Sequence, residues 1–465
     1  MTGSQPGLAP PADVVEAGLG AARCAGCVVV VEDTSEAEVR FAVNTTTTNG
    51  IRRARRVTVA SVAEVDGGLG VGVATRSGAV DVTDLVRAAE SQAYSAPVAD
   101  DASPLLGGVV DAEFGATPPE TDLSVLSGVL SGLSAVFERA ERARTVLAGF
   151  ASHTVATTHL GTSAGLRRRH VQPTGAAQMV ARTSDGANSA WVGVGTRDFA
   201  DVASEALEDE LVRRLGWASR RVDVDAGRHT VVLPPSAVAD LMVYVAGSAG
   251  GQDAEDGRTV FSKPGGGTRI GEQLSSLAFE LRSDPAEPGI ECAPFLTVTA
   301  SSAEASVFDN GLALDRTSWL RDGRLEHLQY HRAGAVRHGA QVAAPGDNLV
   351  LELAGAQGTT ADLVARTEHG LLVTCLWYIR VVDPATLLLT GLTRDGVYLI
   401  EDGEVTGTVT NFRFNESPVD LLARTTDVGA TVRTLGREFG DYVNRTAMPA
   451  LRVDDFNMSS VSPAS

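Results

Sequence analysis

The sequence predicts an α+β fold in which N-terminal and central α/β units precede a large β-rich C-terminal domain. Helical periodicity alternates with extended segments over the first half of the chain, whereas short strands with turn residues dominate residues 229–462. The 49 glycines and only 5% aromatic residues favour many tight turns. With 465 residues the chain is long enough for more than one domain. We therefore predict domains at 1–96, 121–225 and 226–465, with 97–120 as a connector.

The first unit is predicted to hold two helices with strands between them. The helices are expected at 11–24 and at 81–96, and the second begins with Asp and Thr capping residues. Asn49-Gly50 lies between two extended segments and predicts a hairpin turn, because these residue types accept positive φ angles. GGLGVGVA at 67–74 predicts a strand whose glycines allow another backbone to approach closely.

A Pro-, Gly- and Asp-rich connector leads into the central unit. Apolar residues at positions 123, 126, 130, 133 and 137 have helical spacing, extended segments fill 145–197, and a further helix is expected at 201–217. In the C-terminal domain, Asp322-Gly323 and Asp402-Gly403 each predict a β-hairpin with a type I′ turn.

The formal net charge of −19 argues against nucleic acid and anionic membrane surfaces as partners, because an acidic surface repels phosphate groups. No apolar run approaches the roughly 18 residues that span a bilayer. The first residues, MTGSQPGLAPPADVV, lack the basic and then apolar segments of a secretory signal. We therefore expect a cytoplasmic protein that binds neither nucleic acid nor membrane.

The four cysteines include one C-x-x-C pair, Cys24 and Cys27, a spacing found in redox motifs and in half of many zinc sites. A complete zinc site needs a second pair, but Cys292 and Cys375 stand alone in the sequence. We favour small buried thiols, since free cysteine is among the most buried residue types.

Three of the eight histidines, His327, His331 and His338, fall within residues 324–338. The first two have the H-x-x-x-H spacing of many zinc ligand pairs, so a metal site and a surface strand are the two alternatives. The preceding Asp-Gly turn favours a strand through 324–330. On a strand, residues four apart are about 13 Å apart, too far to share one zinc ion with bonds of about 2 Å. We prefer the strand and keep the metal site as the alternative.

The order of several segments resembles the TldD/PmbA family of peptidases over almost the whole chain. In the N-terminal half the resemblance is carried by EAEVRF, VRAAESQAYSAP and HTVATTHLGTSAGLRRRHVQPTGAAQMVART. In the C-terminal half it is carried by GRHTVVLPPSAVADLM, DNGLALDRTSWLRDGRLEHL and TGLTRDGVYLIEDGEVTGTVTNFRFNESPVDLL. GVYLIEDGEVTGTV, within the last of these, matches a fairly specific family pattern.

This resemblance implies a three-part architecture and an activity. Enzymes of the TldD type are zinc metallopeptidases in which HExxxH on a helix supplies two histidine ligands and a glutamate that activates water. TldE-type subunits pair with TldD in a heterodimer that takes unfolded peptide into an enclosed channel.

Carried onto this chain, the family motif falls on a helix expected to begin at Pro234–Pro235. Its first histidine corresponds to Val243, its glutamate to Tyr244 and its second histidine to Ser248. Valine binds no metal, tyrosine is a poor base at neutral pH, and a serine hydroxyl is a weak zinc ligand. No histidine lies between His229 and His327, so a small shift in alignment does not restore the motif.

We therefore expect a TldE-like subunit of a zinc metallopeptidase, catalytically inactive by itself, without a cofactor of its own and with zinc held by a TldD-like catalytic partner. An unfolded peptide is expected to add as a strand to an exposed sheet edge. The candidates for contact with the peptide are Tyr244, Gly247, Ser248, Trp377, Tyr378 and Arg380. For the aromatic residues, packing in a core or an interface is the alternative.

Two other functions stay open. The first is a homodimeric peptide-binding protein without protease activity. The second is an active metallopeptidase with an atypical ligand set drawn from His327, His331, His338, Cys375 and nearby carboxylates.

Overall fold

Six strands from the N-terminal half form one continuous sheet in the computed structural model, which describes residues 8–462. These strands are β1 Gly26–Ala42, β2 Thr45–Val65, β3 Gly68–Ser77, β4 Thr145–Thr162, β5 Arg167–Thr183 and β6 Ser189–Thr196. Their order is β3-β2-β1-β4-β5-β6, and all neighbours are antiparallel. The predicted α+β fold class is confirmed.

The pairing of β1 with β4 joins the two predicted N-terminal units into this sheet. It runs from Val28 opposite Thr162 to Ala42 opposite Ala148. The sequence did not reveal this pairing, because about a hundred residues, including β2, β3, two helices and the connector, separate the two strands. The division of this region into domains 1–96 and 121–225 stays a prediction.

The first hairpin turns at Val43-Asn44, so the prediction of a turn at Asn49-Gly50 was wrong. Val43 and Asn44 have φ angles of 51° and 56°, and the strands pair from Ala42 opposite Thr45. The Asn44 side chain holds this turn against β4, because it donates to the Thr145 carbonyl at 2.9 Å and accepts from the Leu147 N–H at 2.7 Å. Asn49-Gly50 instead lies within β2, opposite Val39 and Glu38.

Four helices cover one face of the sheet in two pairs. They are α1 Pro11–Ala21, α2 Val82–Ser95, α3 Ser127–Arg142 and α4 Ser204–Trp217, with a 3₁₀ turn, Leu123–Leu126, before α3. The Asp81 carboxylate caps α2 by accepting from the backbone N–H groups of Thr83 and Asp84. Helices α1 and α2 bury apolar residues against β1 to β3, and α3 and α4 do so against β4 to β6.

The segment Leu123–Arg142 is long and apolar enough to cross a membrane by length and composition alone. Its residues Leu126, Val129 and Leu133 instead pack into the core under the sheet. The segment is therefore the core helix of a soluble-type fold.

Glycines of β3 let α2 lie directly on that strand, as the sequence predicted. A Cβ atom at Gly72 would lie 2.1 Å from the Ala89 carbonyl oxygen and 2.4 Å from the Ala93 nitrogen. A Cβ at Gly70 would lie 2.4 Å from the Ala93 carbonyl oxygen. Since these are backbone atoms of the helix, no side-chain rotation can make room.

Short strands and five helices build the C-terminal region. The strands are β7 Arg221–Val222, β8 Gly227–Leu233, β9 Phe279–Ser283, β10 Thr317–Arg321, β11 Arg324–Leu325, β12 Leu349–Leu353, β13 His369–Val373, β14 Leu376–Asp383, β15 Leu388–Thr393, β16 Val397–Glu401, β17 Glu404–Val409, β18 Phe412–Glu416, β19 Thr425–Val428, β20 Val432–Thr434, β21 Thr446–Met448 and β22 Leu451–Val461. The helices are α5 Pro235–Gly247, α6 Gly251–Glu255, α7 Arg332–His338, α8 Thr360–Ala365 and α9 Pro418–Ala423, and Val307–Asp309 is a 3₁₀ turn.

These strands form two sheets around α5. One has the order β11-β10-β9-β12-β21-β20, and the other has the order β14-β15-β18-β22-β8-β13-β16-β17-β7, with β19 paired to β22. Residues of α5 such as Val238, Leu241 and Met242 are completely buried in a core shared with both sheets. A helix that is apolar on nearly all sides is suited to this central position.

Both predicted Asp-Gly turns are confirmed. The φ angles are 51° and 72° at Asp322-Gly323, and 51° and 80° at Asp402-Gly403. Positive φ at both central residues is the signature of the type I′ turn. The strands β10 and β11 flank the first turn, and β16 and β17 flank the second.

We expect Gly72→Ala to lower the free energy of unfolding by about 1–3 kcal/mol, because the added methyl group forces α2 away from β3. Urea denaturation of the purified protein measures this change. Gly50→Ala is the matched control, since a Cβ there meets no atom within 4 Å. Equal losses in the two variants would contradict the role of the contact between α2 and β3.

Candidate functional site

Helix α5 carries the positions at which the family motif was expected. Pro234 is its N-cap and Pro235 its first residue, so the predicted start is confirmed. The helix ends at Gly247, and Ser248 is its C-cap. The backbone N–H of Ser248 donates to the Tyr244 carbonyl at 3.0 Å.

Tyr244, at the glutamate position, is a packing residue. Its hydroxyl donates a 2.7 Å hydrogen bond to the Ile379 carbonyl, and its ring meets the edge of the Phe439 ring at a centroid distance of 5.3 Å. Burial raises the pKa of this phenol to about 12. The side chain therefore stays protonated at neutral pH and cannot serve as the base that activates water.

The donor set at these positions does not fit the zinc ion that the family resemblance implies for a catalytic subunit. Val243 and Ser248 are half-buried and supply no imidazole or carboxylate. Within residues 8–462 no group of three or more His, Cys, Asp or Glu side chains is placed so that it could hold a metal ion. No step of hydrolysis can be assigned to α5.

Asp240, one turn before Val243, is the ionisable residue at the centre of this region. It is completely buried, and its carboxylate accepts hydrogen bonds from three consecutive backbone N–H groups: Arg437 at 2.8 Å, Glu438 at 2.9 Å and Phe439 at 3.3 Å. Burial raises the pKa of this carboxyl to about 7, while the three N–H donors act in the opposite direction. Asp240 therefore anchors the loop 436–439 to α5.

The sequence analysis missed Asp240 as a functional residue. The available signal was a single carboxylate in an otherwise apolar helix, PPSAVADLMVYVAG, because an acidic residue is seldom fully buried without partners. Its partners lie about 200 residues further along the chain, so the signal could not identify them.

Four of the six predicted contact residues meet around the loop 436–439. Glu438 accepts from the Tyr378 backbone N–H at 3.0 Å and pairs with the Arg380 guanidinium at 3.1 Å. The guanidinium of Arg437 lies over the Trp377 ring, 4.4 Å from its centroid. Tyr244 reaches the same loop through Phe439, whereas Gly247 and Ser248 lie at the far end of α5.

Arg437 also joins this loop to the N-terminal sheet. Its guanidinium lies 5.3 Å from the centroid of Trp191 on β6, and its Nη1 donates to the Gln178 side-chain oxygen on β5 at 3.3 Å. The Trp191 indole N–H donates to the same oxygen at 2.9 Å. The cation thus sits between two indole rings, an arrangement stabilised by the ring quadrupoles.

The three clustered histidines do not converge on a common point. His327 hydrogen-bonds with the Ser318 carbonyl at 2.9 Å, His338 with Gln252 at 2.9 Å, and His331 caps α7 by accepting from the Gly334 N–H at 3.1 Å. The predicted strand through 324–330 was wrong beyond Leu325, because β11 ends there and only isolated bridges at Gln329 and Tyr330 follow, before α7 begins at Arg332. Local turn chemistry identified the hairpin but not the short helix that follows it.

The four cysteines are free thiols. Cys27, Cys292 and Cys375 are buried, and Cys24 donates to the Gly26 carbonyl. Burial raises the pKa of Cys27 to about 12, that of Cys292 to about 11, and that of Cys375 well above its usual value. Cys27, Cys292 and Cys375 are therefore protonated at neutral pH and unsuited to nucleophilic or metal-binding roles.

Comparisons with known proteins agree with this architecture. A family profile described as "PmbA/TldA metallopeptidase C-terminal domain" matches residues 226–460. The crystal structure of TldE from Thermococcus kodakarensis is similar with a TM-score of 0.76 and 15% identity, over 97% of this chain and 99% of that one.

Two further crystal structures, each titled as a putative modulator of DNA gyrase, are similar at 15% identity and a TM-score of 0.72. The one from Thermotoga maritima is matched over 93% of this chain and 95% of its own, and the one from Bacteroides thetaiotaomicron over 97% and 98%. No curated protein matches the chain.

We expect Asp240→Asn to lower the free energy of unfolding by about 1–3 kcal/mol, because an amide has one acceptor oxygen and leaves one of the three buried N–H groups facing an NH₂ group. Urea denaturation gives the loss, and amide hydrogen exchange of Arg437 to Phe439 locates it. The exposed Asp209→Asn on α4 is the control for loss of one negative charge. Unchanged protection of the three amides would contradict the anchoring role.

Proposed function

The chain belongs to the TldD/PmbA family of metallopeptidases, and we propose that within this family it is a TldE-like subunit that does not itself hydrolyse peptides. In this proposal a TldD-like partner in the cytoplasm holds zinc and cleaves unfolded peptides, while this chain binds peptide and completes the complex. One observation carries the proposal: the hydroxyl of Tyr244, the residue that the resemblance places at the catalytic glutamate, is committed to the Ile379 carbonyl.

The chemistry of hydrolysis supports this division of roles. Activation of a zinc-bound water requires metal ligands and a base whose pKa lies near the working pH. Positions 243 and 248 offer a valine and a serine, and the Tyr244 pKa of about 12 is several units too high for a base at neutral pH. Asp240 is the nearest buried carboxyl on α5, but its oxygens are occupied by backbone N–H groups.

A sheet edge supports the binding of extended peptide. Strand β14 is the terminal strand of its sheet, so among residues 8–462 no further strand pairs along its outer side. Tyr378 and Val382 on this strand are exposed by 55% and 56%. An unpaired edge with exposed apolar side chains is suited to adding a peptide strand through main-chain hydrogen bonds, which do not depend on sequence.

The loop 436–439 limits which part of this edge is open. Glu438 already accepts from the Tyr378 N–H, and Tyr378 itself has a φ angle of 50°, which interrupts the strand. The stretch from Arg380 to Asp383 beyond this point is therefore the segment to which a peptide strand would add.

We expect Tyr378→Ala to weaken binding of a fluorescein-labelled casein fragment about fivefold or more, because an exposed aromatic residue beside the edge contributes about 1 kcal/mol or more to such contacts. Fluorescence anisotropy measures the affinity. Tyr94→Ala on α2 is the matched control, since Tyr94 is 59% exposed and distant from β14. Equal affinities of the two variants would contradict the assignment of the β14 edge.

We expect a zinc content near zero per chain after dialysis of the purified protein against a weak chelator, measured by elemental analysis. The residues at positions 243, 244 and 248 provide no ligand set that would retain the ion. A value near one zinc per chain would contradict the proposal and favour an active metallopeptidase with atypical ligands.

We expect peptidase activity to arise only when this chain is mixed with a TldD-like chain that carries HExxxH. The pair should elute as one complex, because obligate interfaces of this kind bury more than about 2,000 Å². Size-exclusion chromatography and cleavage of the labelled casein fragment test both points. Peptide binding by a self-associated chain that neither joins nor activates the partner would instead favour the homodimeric peptide-binding protein.

A further inference from the structure

A polar cavity of about 400 Å³ lies where the segment after α2 meets the C-terminal domain. Its walls include Asp100 and Asp101 from that segment, Ser301 and Ser302 from a loop, and Arg337 from α7. His331, one of the three histidines of the 324–338 segment, also lines it. Gln252 and Asp256 complete the lining, so the cavity joins residues from four separate parts of the chain, and neither α5 nor β14 contributes to it.

Asp101 is the side chain in this cavity whose charge is not compensated. It is only 6% exposed, and its Oδ2 atom finds no hydrogen-bond donor among residues 8–462. Burial of a carboxylate without a donor is unfavourable, so such an atom in a native protein indicates a group that the protein chain itself does not supply. The group that binds next to Asp101 must carry N–H or O–H donors or a positive charge.

Within residues 8–462, the basic residues that line the cavity make no hydrogen bond or ion pair with Asp101. Arg337 donates to the Asp100 carbonyl at 2.7 Å and to the Gln252 side-chain oxygen at 3.2 Å. His331 accepts from the Gly334 N–H through Nδ1, so this atom cannot donate to Asp101 when the ring is neutral. Asp256, in contrast to Asp101, has its own cation, since Arg258 lies 2.8 Å from its Oδ2.

The geometry disfavours a compact metal ion as the missing partner. A hard cation needs several oxygen ligands that converge within about 2.5 Å. No group of three or more metal-ligating side chains of this kind exists in the described part of the chain, this cavity included.

We propose that this cavity binds a primary ammonium group and that Asp101 is its counter-ion. An ammonium carries three N–H donors that can point to different acceptors, so one can meet the Asp101 carboxylate while the others face the serine hydroxyl oxygens of the same cavity. A volume of about 400 Å³ leaves room for the carbon atoms that bear this group. A peptide N-terminus and a lysine side chain are the two sources of such a group.

This assignment is independent of the peptidase complex proposed above. It concerns one charged group and one cavity, and it requires neither a catalytic partner nor the β14 edge. A failure of either proposal therefore leaves the other unaffected.

The test is isothermal titration of the full chain with three probes. Triglycine amide carries an N-terminal ammonium, N-acetyl-lysine amide carries a side-chain ammonium, and N-acetyl-triglycine amide carries none. We expect at least one of the first two to bind and the third not to bind, and the probe that binds identifies the source. The proposal is overturned if neither ammonium probe binds, or if the uncharged probe binds equally well.

Two variants connect binding to the cavity. Asp101→Asn should lower the affinity for the ammonium probe about tenfold or more, because a charge-assisted hydrogen bond is lost. Asp209→Asn, at an exposed position, should leave this affinity unchanged. Ala303→Leu narrows the same cavity with Asp101 intact and should also weaken binding. Thermal unfolding without ligand should show no loss of stability in Asp101→Asn, since it removes an unpaired buried charge.

Wild-type affinity in both Asp101→Asn and Ala303→Leu would overturn the proposal. Binding of calcium or magnesium ions would also overturn the proposal, if isothermal titration with their chlorides detects it in the wild type and not in Asp101→Asn. The missing partner would then be a metal ion.

Discussion

The three hydrogen bonds to the Asp240 carboxylate are the constraint on which the junction between the two halves of this molecule depends. A fully buried carboxylate is unfavourable unless donors surround it, and here three consecutive backbone N–H groups of the loop 436–439 do so. Gly436 leaves no room for a side chain beside this carboxylate, because a Cβ there would lie 2.6 Å from Asp240 Oδ1. The conformation of the loop is thus fixed from the centre of α5.

This fixed loop directs side chains into both halves of the protein. Arg437 enters the space between Trp191 of the N-terminal sheet and Trp377 of the C-terminal one, and Phe439 meets Tyr244. Glu438 holds Arg380 and the start of the β14 edge. Helix α5 therefore serves in packing and in anchoring this loop.

Two buried aspartates with opposite surroundings account for two different roles. Both carboxylate oxygens of Asp240 accept hydrogen bonds from backbone N–H groups of the chain, so Asp240 stabilises the fold. Asp101 is nearly as buried, yet its Oδ2 has no donor in the described residues, and the residue lines a polar cavity rather than a packed loop. Burial is similar in the two cases, and the supply of donors decides whether the carboxylate is structural or available to a ligand.

The sequence by itself determined the local features: the two type I′ turns at Asp-Gly pairs, the start of α5 at Pro234–Pro235, and the closely approaching glycines of β3. Each depends on residue type and near neighbours. Only the tertiary structure decided the joining of β1 to β4, the turn at Val43-Asn44, the separate positions of the three histidines, and the partners of Asp240. The physical reason is the distance along the sequence over which each interaction acts. φ preferences, prolines and glycines act within a few residues. A strand or a buried carboxylate instead takes its partners from segments about 100 to 200 residues away, and packing alone selects them.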